Sequence, residues 1–86
     1  MAFKISIPTE GRIETGIIAK WYVKVGDVVN AGDPLCEIEM DKTSFVIEAF
    51  CDGTILGIIR HEGEEVPVLE MIAFMGDPGE TIDDVI

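Results

Sequence analysis

The sequence predicts an all-β domain, a flattened barrel or sandwich of two four-stranded antiparallel sheets related by a pseudo-two-fold axis. Three observations carry that prediction. Apolar and polar residues alternate through short runs, glycines and prolines punctuate those runs, and the second half of the chain repeats the first. Helical periodicity never persists. The segment Ile17-Ile18-Ala19-Lys20-Trp21-Tyr22-Val23 reads as strand because it is rich in β-branched and aromatic residues and lies between turn residues.

Strands are expected near 3–7, 15–23, 27–30, 34–40, 43–50, 53–59, 64–68 and 71–75. Phe3-Lys4-Ile5-Ser6-Ile7 alternates in phase with a strand. Gly11, Gly26, Gly32, Gly53, Gly57 and Gly63, with Pro8, Asp33 and Pro34, mark the turns. In the middle of the chain, Cys36, Ile38 and Met40 mirror Thr43, Phe45 and Ile47 across a two-residue loop of Asp41 and Lys42. That register turns both apolar sets to the core and sets Glu37 and Glu39 outward, opposite Val46 and Ser44. Lys42 then stands at the tip of a β-hairpin.

A shift of 37 residues superposes Gly16 on Gly53, Ile18 on Ile55, Gly26 on Gly63 and Val29 on Val66, while Phe3–Ile7 matches Phe45–Ala49 only with a shift of 42. The first half therefore carries about five extra residues within the loop Pro8 to Glu14. Strand direction puts the termini at the pole opposite Lys42 and the enlarged loop beside it. One pole tethers and the other presents.

Eighty-six residues allow one compact domain, read as 1–76, followed by an acidic tail or linker start at 77–86. With 17 acids against 6 bases the net charge is −11, which argues against nucleic acid and anionic lipid surfaces as partners. There is neither a membrane-spanning apolar run nor a signal-peptide core, so the expected setting is the cytoplasm or an organelle matrix. Cys36 reads as a small core residue, and the hairpin register disfavours a bridge to Cys51. No histidine or second cysteine sits at metal-ligand spacing. His61, in Arg60-His61-Glu62-Gly63, reads as an exposed turn residue, and Trp21 as core packing. Glu37, Glu39, Asp41, Glu48 and Asp52 solvate an outer β face, and Glu39 and Asp41 also flank the lysine.

Gly16 to Val29, Gly32-Asp33-Pro34-Leu35-Cys36-Glu37-Ile38-Glu39-Met40-Asp41-Lys42-Thr43, Asp52-Gly53-Thr54-Ile55 and Glu62 to Val68 together resemble the biotinyl/lipoyl-carrier family. Within it, they resemble the lipoyl domains of 2-oxo acid dehydrogenase acyltransferase (E2) components. Asp41 before the lysine and Thr43 after it favour lipoate, whereas biotin carriers usually have Met on both sides. The resemblance implies lipoic acid in amide linkage to Lys42, with biotin as the alternative, and no catalytic site in the domain itself. It implies as partners a lipoate ligase or lipoyl transferase, a thiamine-diphosphate decarboxylase (E1), the acyltransferase core and a flavin dehydrogenase (E3). Glu39, Asp41 and Thr43, with Glu10, Arg12 and Glu14 from the enlarged loop, are the expected recognition residues, and the isolated domain is expected to be a monomer.

Rival readings are a biotin carrier of a carboxylase and a small acidic β-barrel with a purely interaction role. A glycine-cleavage carrier is longer than this chain. The chain also departs from the family pattern, with Thr15 before Gly16 and Leu69 where a glycine is common. The Ala/Pro-rich linker and catalytic core are missing, so the chain is expected to be an excised domain or a free-standing carrier.

Overall fold

A computed structural model describes residues 2–8, 14–40 and 43–81. Among them run β1 (Phe3–Ser6), β2 (Thr15–Trp21), β3 (Val28–Val29), β4 (Pro34–Met40), β5 (Thr43–Glu48), β6 (Gly53–Ile58), β7 (Glu65–Pro67) and β8 (Met71–Gly76). They form two four-stranded antiparallel sheets, ordered β1-β8-β6-β3 and β5-β4-β2-β7. Exchanging each strand for its repeat mate, β1 for β5, β2 for β6, β3 for β7 and β4 for β8, converts one order into the other. Even the irregularities obey the repeat. The β2–β4 ladder slips between Ile18 and Lys20, and the β6–β8 ladder slips 37 residues later, between Ile55 and Gly57.

The expected strands are present: β4 keeps its expected bounds, β8 runs one residue further, and the others are shorter. β2 stops at Trp21 rather than 23 and β3 shrinks to two residues, because a turn takes over the backbone between them. Lys24 O accepts from Asp27 N at 3.0 Å, and the Asp27 carboxylate accepts from Lys24 N at 2.9 Å. The same device at residues 61–64, where Glu64 accepts from His61 N, precedes β7 and shortens it to Glu65–Pro67.

Between the sheets lie Ile5, Ile7, Ile18, Val29, Leu35, Cys36, Ile38, Met40, Ile55, Val66, Ile72, Ala73 and Met75, and no polar or charged residue is buried among those described. Alternation in β4 and β8 thus seals the core from both faces.

Two positions show what the repeat demands of the backbone. Gly32 N donates to Ala49 O at 2.8 Å, and its mate Leu69 donates to Ile7 O at 2.7 Å. Both residues are left-handed, with φ 93° at Gly32 and 69° at Leu69. Glycine adopts that conformation freely, whereas for an L side chain it costs about 1–2 kcal/mol. At Gly57 the constraint is space: a Cβ there would lie 2.3 Å from Phe74 Cε1, its cross-strand neighbour. The Phe74 ring covers the bare backbone that Gly57 leaves on the outer face.

Gly57→Ala is expected to displace that ring and lower stability by about 1–3 kcal/mol. In a Phe74→Ala background the same change should cost much less. Denaturant melts of the four proteins in this double-mutant cycle check the coupling.

Candidate functional site

The β4–β5 hairpin is built from a buried root. Leu35, Cys36, Ile38 and Met40 of β4 are each 1% exposed or less. The pairing is Met40↔Thr43, Glu39↔Ser44, Ile38↔Phe45, Glu37↔Val46 and Cys36↔Ile47, the register expected from alternation. Farther from the tip the ladder slips between Pro34 and Cys36. The mirror is incomplete on the β5 side: Thr43 is exposed, and Phe45 and Ile47 are only half-buried. β5 is an outer strand of its sheet, so the second sheet covers it less than it covers β4.

A close contact anchors the hairpin beneath its tip. Gly16 of β2 is buried, and a Cβ there would lie 2.8 Å from Ile38 Cγ2 and 3.4 Å from Met40 Cε and Cγ. The missing side chain lets Met40 lie flat against β2. With Met40 and Ile38 held from one side and the β5 ladder from the other, the hairpin meets solvent from a rigid base.

Register also locates the neighbouring loop. Ile17 pairs with Glu39 and Thr15 with Pro67. Val68 N then donates to Glu14 O at 2.9 Å, next to the Leu69 bond to Ile7. Both stems of the 8–14 loop therefore lie at the hairpin's pole. At the other pole Phe3 meets Phe50 edge to face at 5.6 Å.

Of the residues singled out from sequence, Glu39 and Thr43 are exposed beside the paired end of the hairpin, and Glu14 is exposed at the base of the loop. Asp41, Lys42, Glu10 and Arg12 lie outside the described residues. The outward acids divide in role. Glu37 is half-buried and accepts from the Tyr22 hydroxyl at 3.2 Å, while Lys20 Nζ sits 5.3 Å from the Tyr22 ring centroid. Partial burial and the Glu37 carboxylate push the Tyr22 phenol up. Asp52 is a turn partner, accepting from Ala31 N at 2.7 Å. Trp21 donates from Nε1 to Arg60 O at 2.9 Å, far along β2 from the hairpin tip, and His61 is exposed in its turn.

Sequence reasoning noted Leu69 only as a departure and missed both its left-handed backbone and the Gly16 notch. Aligning Gly32 with Leu69 in the repeat would have exposed the first. Among the described residues no cluster of His, Cys, Asp or Glu could hold a metal ion, and no helix is long and apolar enough to cross a membrane.

A family model described as "Biotin-requiring enzyme" matches residues 4–75. The chain is 40% identical over 82 residues to the succinyltransferase component of a 2-oxoglutarate dehydrogenase complex from Rickettsia typhi, covering 94% of this chain and 21% of that protein. It is 36% identical over 85 residues to the acetyltransferase component of the acetoin cleaving system of Bacillus subtilis, covering 98% and 21%. The chain thus spans about a fifth of the length of these relatives. Among solved structures, the lipoyl domain of the 2-oxoglutarate dehydrogenase complex from Azotobacter vinelandii superposes with a TM-score of 0.74. That match has 31% identity over 88% of this chain and 98% of that one.

The buried hairpin root makes a chemical prediction. Burial pushes the Cys36 thiol up to about 12, from 9.0. A raised folded value means that the thiol's contribution to stability is complete below about 9 and lost as pH rises through about 12. In a Cys51→Ser background, alkylation of the native domain at mildly alkaline pH should run far slower than in denaturant, because the Cys36 thiol is wholly buried and burial favours its protonated form. Comparable rates in the two states would show that the β4 root opens readily.

Proposed function

Because the chain belongs to the biotinyl/lipoyl-carrier family, and within it is a lipoyl domain, we propose that it is a swinging-arm acyl carrier in which Lys42 bears lipoate in amide linkage. The observation that carries this reading is the hairpin itself. Its ladder is paired up to Met40↔Thr43, the inward side chains of β4 are buried, and the two residues between the paired ends are Asp41 and Lys42.

The described surroundings fit such a group. Glu39, Thr43 and Ser44 are all exposed, so an attaching enzyme meets polar, accessible side chains rather than core. Asp41 and Thr43 as flanking residues favour lipoate over biotin. Held on Lys42, the dithiolane would supply the redox and acyl-accepting chemistry, taking up the two electrons and the acyl group of a decarboxylated 2-oxo acid. The chain's own work is mechanical. Amide formation removes the lysine charge, the rigid base set by Gly16, Ile38 and Met40 fixes where the arm starts, and the net charge of −11 keeps the domain soluble and free of nonspecific anionic contacts.

The proposed parent is a 2-oxo acid or acetoin dehydrogenase complex in the cytoplasm or an organelle matrix. There the decarboxylase, the acyltransferase core and the flavin dehydrogenase would visit the arm in turn, after a lipoate ligase or lipoyl transferase installs it. Glu39, Asp41 and Thr43 are proposed as the surface read at the tip, with Glu10, Arg12 and Glu14 as the neighbouring partner contacts. Residues 1–76 are the proposed carrier unit, and 77–86 an acidic tail or the start of a linker.

Incubation with lipoate, ATP and a lipoate ligase should add one lipoyl group by intact mass, and peptide mapping should place it on Lys42. Lys42→Arg should remove the adduct without changing the melting temperature. Exchanging Asp41 and Lys42 should keep the fold and sharply reduce modification. An adduct formed with biotin, ATP and a biotin ligase but not with lipoate and its ligase, or label on another lysine, would overturn the assignment.

A further inference from the structure

Leu69 combines three properties that nothing among the described residues accounts for. Its backbone is left-handed, with φ 69°, where its repeat mate is a glycine. Its side chain is 59% exposed and lies outside the set that packs on the core, which includes its neighbour Val68. It also stands at the pole of the hairpin: its N–H holds Ile7 O, and Val68 N–H holds Glu14 O, so this turn ties both stems of the 8–14 loop. Pro8 and Pro67 are exposed beside it in chain and ladder.

A glycine here would make the same backbone bond without strain, as Gly32 does at the other pole. The unfavourable backbone here leaves the apolar side chain mostly exposed among the described residues. Exposure alone would not distinguish it from Val28 or Phe50, but a left-handed leucine backbone at the hairpin's pole marks a candidate functional position. We propose, resting on the carrier reading, that Leu69 is a specificity residue that inserts into an apolar depression on the decarboxylase when the arm enters that enzyme. The decarboxylase is the occupant because the choice of 2-oxo acid is made at its step. A carrier must therefore be discriminated there, whereas reoxidation of the dithiol is the same reaction for every parent complex.

The test compares the parent domain with Leu69→Gly and Leu69→Ala. The first removes side chain and strain together, and the second removes most of the side chain while keeping the strained backbone. Both should accept lipoate at the parent rate by intact mass. Leu69→Gly should melt a few degrees higher than the parent, and Leu69→Ala should not. Despite these different stabilities, both lipoylated variants should be acylated by the cognate decarboxylase with kcat/KM about tenfold below the parent. Unlipoylated variants should also compete about tenfold more weakly than the unlipoylated parent for the same enzyme. Acylation at the parent rate in both variants, or lipoylation falling in step with acylation, would overturn the proposal. Failure of the parent itself to gain a lipoyl adduct would instead overturn the carrier reading on which it rests.

Discussion

The fold depends on a reciprocal exchange of backbone hydrogen bonds between its halves. Gly26 N donates to Ile55 O at 2.7 Å and Ile55 N to Asp27 O at 2.8 Å; in mirror fashion Gly63 N donates to Ile18 O at 2.7 Å and Ile18 N to Glu64 O at 3.0 Å. Ile18 and Ile55 are fully buried, so no water substitutes for these partners. Each half thus satisfies the other's central strand with its own turn. Once that exchange is made, sheet order, bulge positions and the two poles follow.

On this symmetric frame the chemistry is unequal. Glu37, Glu39 and Glu65 face outward from the hairpin's sheet, and their repeat mates are Phe74, Gly76 and Val28. The duplicated architecture therefore serves as its own control: equivalent backbone positions carry charge on the sheet that ends in the lysine hairpin and little on the other. A turn-stabilising pair has no counterpart either. Arg60 bonds Glu70 and lies 3.8 Å from Glu64, knitting the second half's two turns together, whereas Arg60's mate is Val23.

Much of this was legible in the sequence, for stated reasons. Alternation through Cys36-Glu37-Ile38-Glu39-Met40 and Thr43 to Ile47 specifies the hairpin register, because a slip by one residue would turn Ile38 and Phe45 to solvent. The glycine-phased repeat specified two matching sheets. Strand ends were read too long where a side chain takes over from the ladder, as Asp27 does for Lys24, since a single carboxylate in a turn has no periodic signature. The Gly16 notch was invisible for another reason: a glycine inside a strand gives no sign of which cross-strand side chains fill its space, here Ile38 with Met40 beside it. Leu69 defeated local reading because leucine ordinarily signals core, and only its alignment with Gly32 marks it as a residue in a glycine's place.

The interlocking of the halves also bears on how the domain is made. Ile18 leaves the ribosome long before Gly63 and Glu64, the residues that complete its pairing, and most of the sheet contacts join segments far apart in sequence. A nascent first half consequently holds an unfinished core, and the lysine hairpin is synthesised before the fold that supports it. On the proposed carrier reading, an attaching enzyme that requires the hairpin on its folded base, rather than lysine in an extended chain, would act only on a chain translated through β8 and fully closed.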